Sequence, residues 1–333
     1  MFQSAWYNHY GERFWDASKA QARPAKAIHA KALAAAYGIP EVSVHRTDSY
    51  KRLLRDSKLR GEFKEIFLTQ IFNVMNNNKL FGMVVKSALD PLHRGEDQLI
   101  YQGLYDLIKE HESSAGPMAA AGKMWASVKQ LRNQRNELVR EMKSILGHLG
   151  RAGSLVGYAS IGDNGKTVLA YREHLGLKGR CWVVNDVDAD KEGFAGMKEV
   201  LERSSAVPVG TYVHIDYTDV GVFRGVPDQS ADLVTMNQGL HHLRPEQLMI
   251  FINEVYRVLR PSGIFIVREH NATPELIPML DLAHSVYNAV LQVSPRDELT
   301  ELRAFRPILE WRAILESAGF QDSMLYEMVR VCA

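Results

Sequence analysis

Three groups of residues have types and spacings that could do chemistry. The stretch YASIGDNGKT, Tyr158 to Thr167, ends in Gly165-Lys166-Thr167. That is the tail of a phosphate-cradling GxxxxGK[ST] loop, but Ser160 stands where its first glycine belongs. The same stretch also reads as a turn after a strand, in which Gly157, Gly162 and Gly165 let a ligand approach the backbone in front of a helix N-terminus. A third reading makes it only a surface helix cap. Carboxylates close two apolar runs further on: Asp186 in NDVD, which could accept both hydroxyls of a ribose, and Asp216 in HIDY. Asp188 and Asp219 compete with them, and any of the four could merely cap a helix. The third group is imidazole. His241 and His242 lie in NQGLHHL and His270 in REHN, and a histidine titrates close enough to neutrality to serve as a base. Each also has a plain structural reading as a hydrogen-bonded residue at a strand end.

The elements that must position these groups change character near residue 150. Before it the chain is rich in Ala, Leu, Lys, Glu and Arg, with apolar residues three and four apart, as in SYKRLLRDSKLRGEFKEIFLTQIFNVM and KMWASVKQLRNQRNELVREMKSILGHL. After Gly153, short β-rich runs alternate with helical patterns: SLVGYASI, RCWVVNDV, TYVHIDY, ADLVTMN and GIFIVREH. Alternation of this kind predicts a parallel sheet covered by helices. PEQLMIFINEVYRVLRPSG reads as a crossover helix ended by its Pro and Gly. The division expected is a helical N-terminal domain and lid over 1–150 and a Rossmann-like α/β domain over 151–333.

Taken in order, the strand ends of the second half resemble the class I S-adenosylmethionine-dependent methyltransferases. ADLVTMNQGLHHL is similar to that family's fourth strand and turn, EVYRVLRPSGIFIVREH to its fifth helix and strand, and ILEWRAILESAGF to its late helix. The resemblance implies a seven-stranded, mostly parallel sheet and S-adenosylmethionine as cofactor. It implies that Ser160, Gly162, Asp163, Asn164 and Gly165 form the cofactor loop and that Asp186 and Val187 meet the ribose. Asp216 and Tyr217 would meet the adenine, and Asn237 and Gln238 would lie near the sulfonium. His270, Asn237 and Tyr158 are the catalytic candidates. The chain departs from the family at Ser160, where an acidic residue is usual, and at Asn164, which replaces a glycine. Tyr158, Asp163 or the helical half would then have to hold the methionine ammonium.

Lys and Arg number 40 against 39 acidic residues, so no global field draws the protein to nucleic acid or an anionic surface. No (N/D)PP(Y/F) tetrapeptide follows the fourth strand run, which favours a small-molecule substrate over DNA or RNA. Two cysteines, no signal-like start and no long apolar run point to a cytoplasmic protein without a membrane span. No HExxH-like spacing announces a metal site, and a homodimer is left open. Trp6, Tyr7, Tyr10 and Phe14, with His241, are expected to line the substrate side under an N-terminal lid, closing an aromatic pocket. The leading expectation is methyl transfer to a small molecule. Two alternatives stand beside it: cyclisation of S-adenosylmethionine like that of azetidine-2-carboxylate synthase, with release of methylthioadenosine, and S-adenosylmethionine binding without turnover.

Overall fold

A computed structural model describes residues 13–16, 55–58, 101–106, 109–110, 135–136, 138–186, 200, 205, 207–217, 220–221, 223–237, 239–290 and 293–322. Among them the strands are β1 (Arg13–Asp16), β2 (Gly157–Ile161), β3 (Arg180–Asn185), β4 (Thr211–His214), β5 (Ala231–Asn237), β6 (Leu259–Arg268) and β7 (Gln321–Asp322). The helices that follow residue 150 are α1 (Val168–Leu175), α2 (Pro245–Val258), α3 (Ile277–Val290), α4 (Pro295–Thr300) and α5 (Ile308–Ser317). The strands form one sheet in the order β4-β3-β2-β5-β6-β1-β7. β2 to β6 run parallel, while β1 is antiparallel to both β6 and β7. Strand order therefore reverses at β2, with β3 on one side and β5 on the other, the arrangement that opens a ligand crevice at the carboxyl ends.

The central strands are buried on both faces, as a parallel sheet between helices requires; β2 is buried at every position. On one face α2 presents Leu248, Phe251, Ile252, Val255 and Val258 to Val234, Phe265 and Trp311. On the other a helix over 138–148 packs Val139, Met142, Ile145 and Leu146 against Leu155, Tyr158 and Val168. This last helix of the Ala- and Lys-rich half is thus part of the sheet's own cover. At the amino ends, the Asp232 carboxylate accepts from the backbone N–H groups of Val156 and Gly157 and from Arg260, which holds β2 in register with β5.

Three expectations change. Residues 13–16 are a strand inside the sheet, with Phe14 opposite Ile266, so Phe14 belongs to the sheet and the segment before residue 150 is not all helical. Trp6, Tyr7 and Tyr10 lie outside the described residues. Gly157 begins β2 instead of marking its turn: a Cβ there would stand 2.1 Å from the Ser230 carbonyl oxygen. The crossover helix α2 stops at Val258, before Pro261 and Gly263, because β6 starts at Leu259 and pairs it with Ala231. Among the described residues no helix is long and apolar enough to cross a membrane.

Candidate functional site

The site has two parts at the carboxyl ends of the parallel strands. The first is the loop Gly162–Thr167 between β2 and α1. Asp163 organises it: one carboxylate oxygen, Oδ1, accepts from the Ser160 hydroxyl at 2.8 Å and from the Gly165 N–H at 2.7 Å. The other, Oδ2, is buried without a hydrogen-bond partner among the described residues. A buried carboxylate oxygen left this way is costly unless a cationic partner arrives. Gly165 adopts φ +83°, and a Cβ would lie 2.6 Å from Val209 Cγ2, so both backbone and packing demand glycine. Gly162, at φ +76°, leaves room for the Tyr217 hydroxyl, 3.3 Å from where a Cβ would stand.

The neighbouring strand ends converge on this loop. Asp186 follows β3 and is exposed; Asp216 and Tyr217 follow β4. Burial, reinforced by the Asp186 and Asp163 carboxylates, pushes the Tyr217 phenol above its ordinary range. Asn237 ends β5 with its Nδ2 buried and without a partner among the described residues. Val187 and Gln238 lie outside the described residues, as does Asp188. The fold thus gathers Ser160, Gly162, Asp163, Asn164, Gly165, Asp186, Asp216, Tyr217 and Asn237 at one end of the sheet.

Tyr158 lies buried beneath them. Its side chain is fully buried, its ring packs 5.4 Å from Tyr171, and its hydroxyl hydrogen-bonds with Thr167 at 3.0 Å and Thr235 at 2.8 Å. Burial drives its phenol pKa up. Side chains two apart on a strand share a face, so Tyr158 points the same way as Ser160 but packs deeper, against the 138–148 helix. Its contact also occupies Thr167, whose hydroxyl in a triphosphate loop would serve a magnesium ion. The Gly-Lys-Thr tail is therefore no phosphate cradle.

The second part is a nest of imidazoles beyond β5 and β6. A short 3-10 turn, Leu240–His242, follows β5; Glu269 and His270 follow β6; His284 comes from α3. The rings of His242, His270, His284 and Phe305 all have centroids 4.2 to 5.3 Å from that of His241. Glu269 is fully buried and accepts from the Leu240 N–H at 2.6 Å and from His241 Nδ1 at 2.8 Å. Burial pushes His241 and His270 down to about 3 and His242 to about 4, and lowers His284 as well. Imidazoles held so far below neutrality are neutral at pH 7 and make weak proton acceptors. This argues against His270 as a free general base, and against His241 too. His241 and His270 are buried, whereas His242 and His284 are partly exposed and form the approach. The metal-free reading of the sequence rested on linear spacing, which does not register His241, His242 and His284, brought together from separate segments with one nitrogen of each within 4.8 Å of the others.

An ion network holds this second part in place. Arg303, buried between α3 and α4, donates to Glu298, Glu301, Ser285 and the Asp281 carbonyl. Glu298 also accepts from Ser285 and Asn288.

Residues 168–267 match the methyltransferase domain family. With the sheet order, this makes the α/β half a class I S-adenosylmethionine-dependent methyltransferase domain, an S-adenosylmethionine-using transferase by class. No curated protein matches the sequence. Among solved structures, a methyltransferase from Archaeoglobus fulgidus is 17% identical over 60% of this chain and 75% of its own, with a TM-score of 0.38. An O-methyltransferase family protein from Burkholderia thailandensis is 16% identical over 73% of this chain and 63% of its own, also with a TM-score of 0.38. The [4+2]-cyclase SpnF is 18% identical, TM-score 0.31, over 50% of this chain and 51% of its own. The chain thus spans only about half of that relative, and overlaps this loose add no weight to the domain match.

The residues present fit S-adenosylmethionine. The Asp163 Oδ2, without a partner among the described residues, is a chemical match for the methionine ammonium. The exposed Asp186 suits ribose hydroxyls, and Asn237 at the end of β5 has a buried Nδ2 without a partner among the described residues.

Proposed function

We propose that the protein transfers the S-adenosylmethionine methyl group to a proton-bearing nucleophile on a small molecule. The acceptor enters beside His242 and His284, between α3 and the ends of β5 and β6. The observation that carries this reading is Asp163, a buried loop carboxylate with one oxygen engaged by the loop and the other unpartnered. Asp163 binds the ammonium and Asp186 the ribose. Asn237 borders the reacting carbon, and Asp216 with Tyr217 closes the adenine end. Bound S-adenosylmethionine supplies an activated methyl group, and this chain's residues align the acceptor with it and exclude water. In this reading Asp163 keeps the amine charged and unreactive, which supports transfer over the self-cyclisation that Ser160 suggested.

Purified protein incubated with S-adenosylmethionine alone, then with a mixture of small-molecule extracts, tests the reading by mass spectrometry. S-adenosylhomocysteine that forms only when an acceptor fraction is added is the expected result. Methylthioadenosine released from S-adenosylmethionine alone would replace transfer with cyclisation, and calorimetric binding without any product would leave a binding protein.

A further inference from the structure

The imidazole nest contains a contact between two ring nitrogens whose opposite nitrogens both face oxygen acceptors. His241 Nε2 and His284 Nε2 face each other at 3.1 Å. His284 Nδ1 lies 3.1 Å from the Leu280 carbonyl oxygen, which can only accept, so Nδ1 carries the proton and Nε2 a lone pair. His241 Nδ1 lies 2.8 Å from Glu269 Oε2, and with Glu269 ionised Nδ1 again carries the proton. Two lone pairs then point at each other. Moving one proton to Nε2 shifts the conflict to Leu280, or to Glu269 while that carboxylate is ionised. His242 repeats the pattern, its Nδ1 lying 3.1 Å from the Leu302 carbonyl oxygen.

We propose that His241, His242 and His284 bind one divalent first-row transition ion, zinc foremost, through their Nε2 atoms, with a fourth position open toward the approach. One nitrogen of each lies within 4.8 Å of the others. Two imidazoles on a tetrahedral zinc, each at about 2.0–2.1 Å, hold their nitrogens about 3.3 Å apart, close to the 3.1 Å between His241 and His284. Histidines that ligate a metal almost always donate their other N–H to a carboxylate or a backbone carbonyl, and these three do so to Glu269, Leu302 and Leu280. Three protein ligands with an open place is the pattern of a catalytic, not a structural, zinc site. Imidazole ligation suits zinc, copper, iron and nickel rather than magnesium.

The catalytic consequence rests on the methyl-transfer reading; the metal site itself does not. An acceptor hydroxyl or thiol on the open position becomes more acidic and releases its proton to solvent. Its oxygen or sulfur then forms the new bond to the methyl carbon. The carbon–sulfur bond of the sulfonium breaks with its electron pair going to sulfur, leaving S-adenosylhomocysteine.

The test uses the full chain, stripped by a chelator and titrated with Zn2+ in a calorimeter, and separately loaded with Co2+. One Zn2+ per chain and the intense visible absorption of tetrahedral Co2+ are expected. His284→Gln and His242→Gln should each weaken Zn2+ binding by roughly 100-fold or more, and Glu269→Gln by roughly 10- to 100-fold. S-adenosylmethionine titration of the same variants reports whether the sheet has kept its fold; should His284→Gln lose both ligands, the partly exposed His242 decides. Absence of the Co2+ spectrum in the folded protein, or unchanged Zn2+ affinity in a folded His242→Gln, overturns the site. Zinc bound without S-adenosylmethionine binding would sink the methyl-transfer reading and leave the metal site standing.

Discussion

The glycine loop and the imidazole nest sit at the same end of one sheet, yet they are built in opposite ways. The loop is local. Ser160, Asp163 and Gly165 bond to one another within six residues, and the left-handed φ of Gly165 makes the turn self-contained. The nest is assembled. His241 and His284 are separated by 43 residues and His241 and Glu269 by 28, and no two of these three share a secondary-structure element. A local site survives when its surroundings loosen, whereas an assembled one depends on everything that holds its parts in register.

The largest expected effect exploits that difference. Glu298→Ala removes a buried partner of Arg303, which leaves cationic charge partly uncompensated between α3 and α4. Breaking a buried pair in this way costs about 3–5 kcal/mol. Denaturant unfolding should show that loss, with the metal site weakened along with α3 while S-adenosylmethionine affinity at the distant loop is nearly preserved. Equal losses at both ligands would mean that the two parts are not separable. The converse substitution, Asp163→Ala, removes the acceptor for Ser160 and Gly165 and the group assigned to the ammonium. Calorimetry should register a loss of about 2–3 kcal/mol in S-adenosylmethionine binding, roughly 30- to 150-fold, with zinc binding unaffected. Asp186→Ala should cost less, about 1.5 kcal/mol or roughly tenfold, because this carboxylate is exposed and works against water.

Acid should act on the nest alone. The free-chain imidazole value is 6.5, while His241 and His270 are held at about 3 and His242 at about 4. Their folded values are depressed, so below pH 6.5 the unfolded chain binds protons that the folded chain refuses. The stability they contribute is complete above about pH 6.5 and is lost as pH falls toward 4, by up to about 1.4 kcal/mol per pH unit for each ring. Glu269, raised by burial, works the other way, but one carboxyl is outweighed by three imidazoles. Urea midpoints of the chelator-stripped protein should therefore fall between pH 7 and pH 5, and His270→Phe should flatten that slope. A slope unaltered in His270→Phe would mean that this ring is protonated in the fold.

What was legible in the sequence follows the same division. Alternating apolar runs and helical periodicity gave the parallel strands, and the strand-end residues Asp163, Asp186, Asp216 and Asn237 could be picked out because a strand end is a position in the chain. The edge of the sheet was hidden: the pairing of Arg13–Asp16 with β6 and with β7 joins segments hundreds of residues apart, and four residues carry too little periodicity to announce a strand. His284 was hidden too. Within LDLAHSVYNAV it is one polar residue on a mostly apolar helix, and only the packing of α3 brings it to His241.

Tyr158 marks the limit of reading position without depth. It stands two residues from Ser160 and five from Asp163, close enough in sequence to be taken for part of the ligand loop. Yet its hydroxyl ends between Thr167 and Thr235, with no exposed surface. Tyr158→Phe removes that hydroxyl and leaves the two threonines to bond elsewhere, a change of about 0.5–1.5 kcal/mol in stability. Thermal unfolding should detect it, while S-adenosylmethionine affinity and turnover stay within twofold of the parent protein. A loss of turnover without a loss of stability would put the phenol back in the reaction and would mean that the loop and the core beneath it are not the separate structures described here.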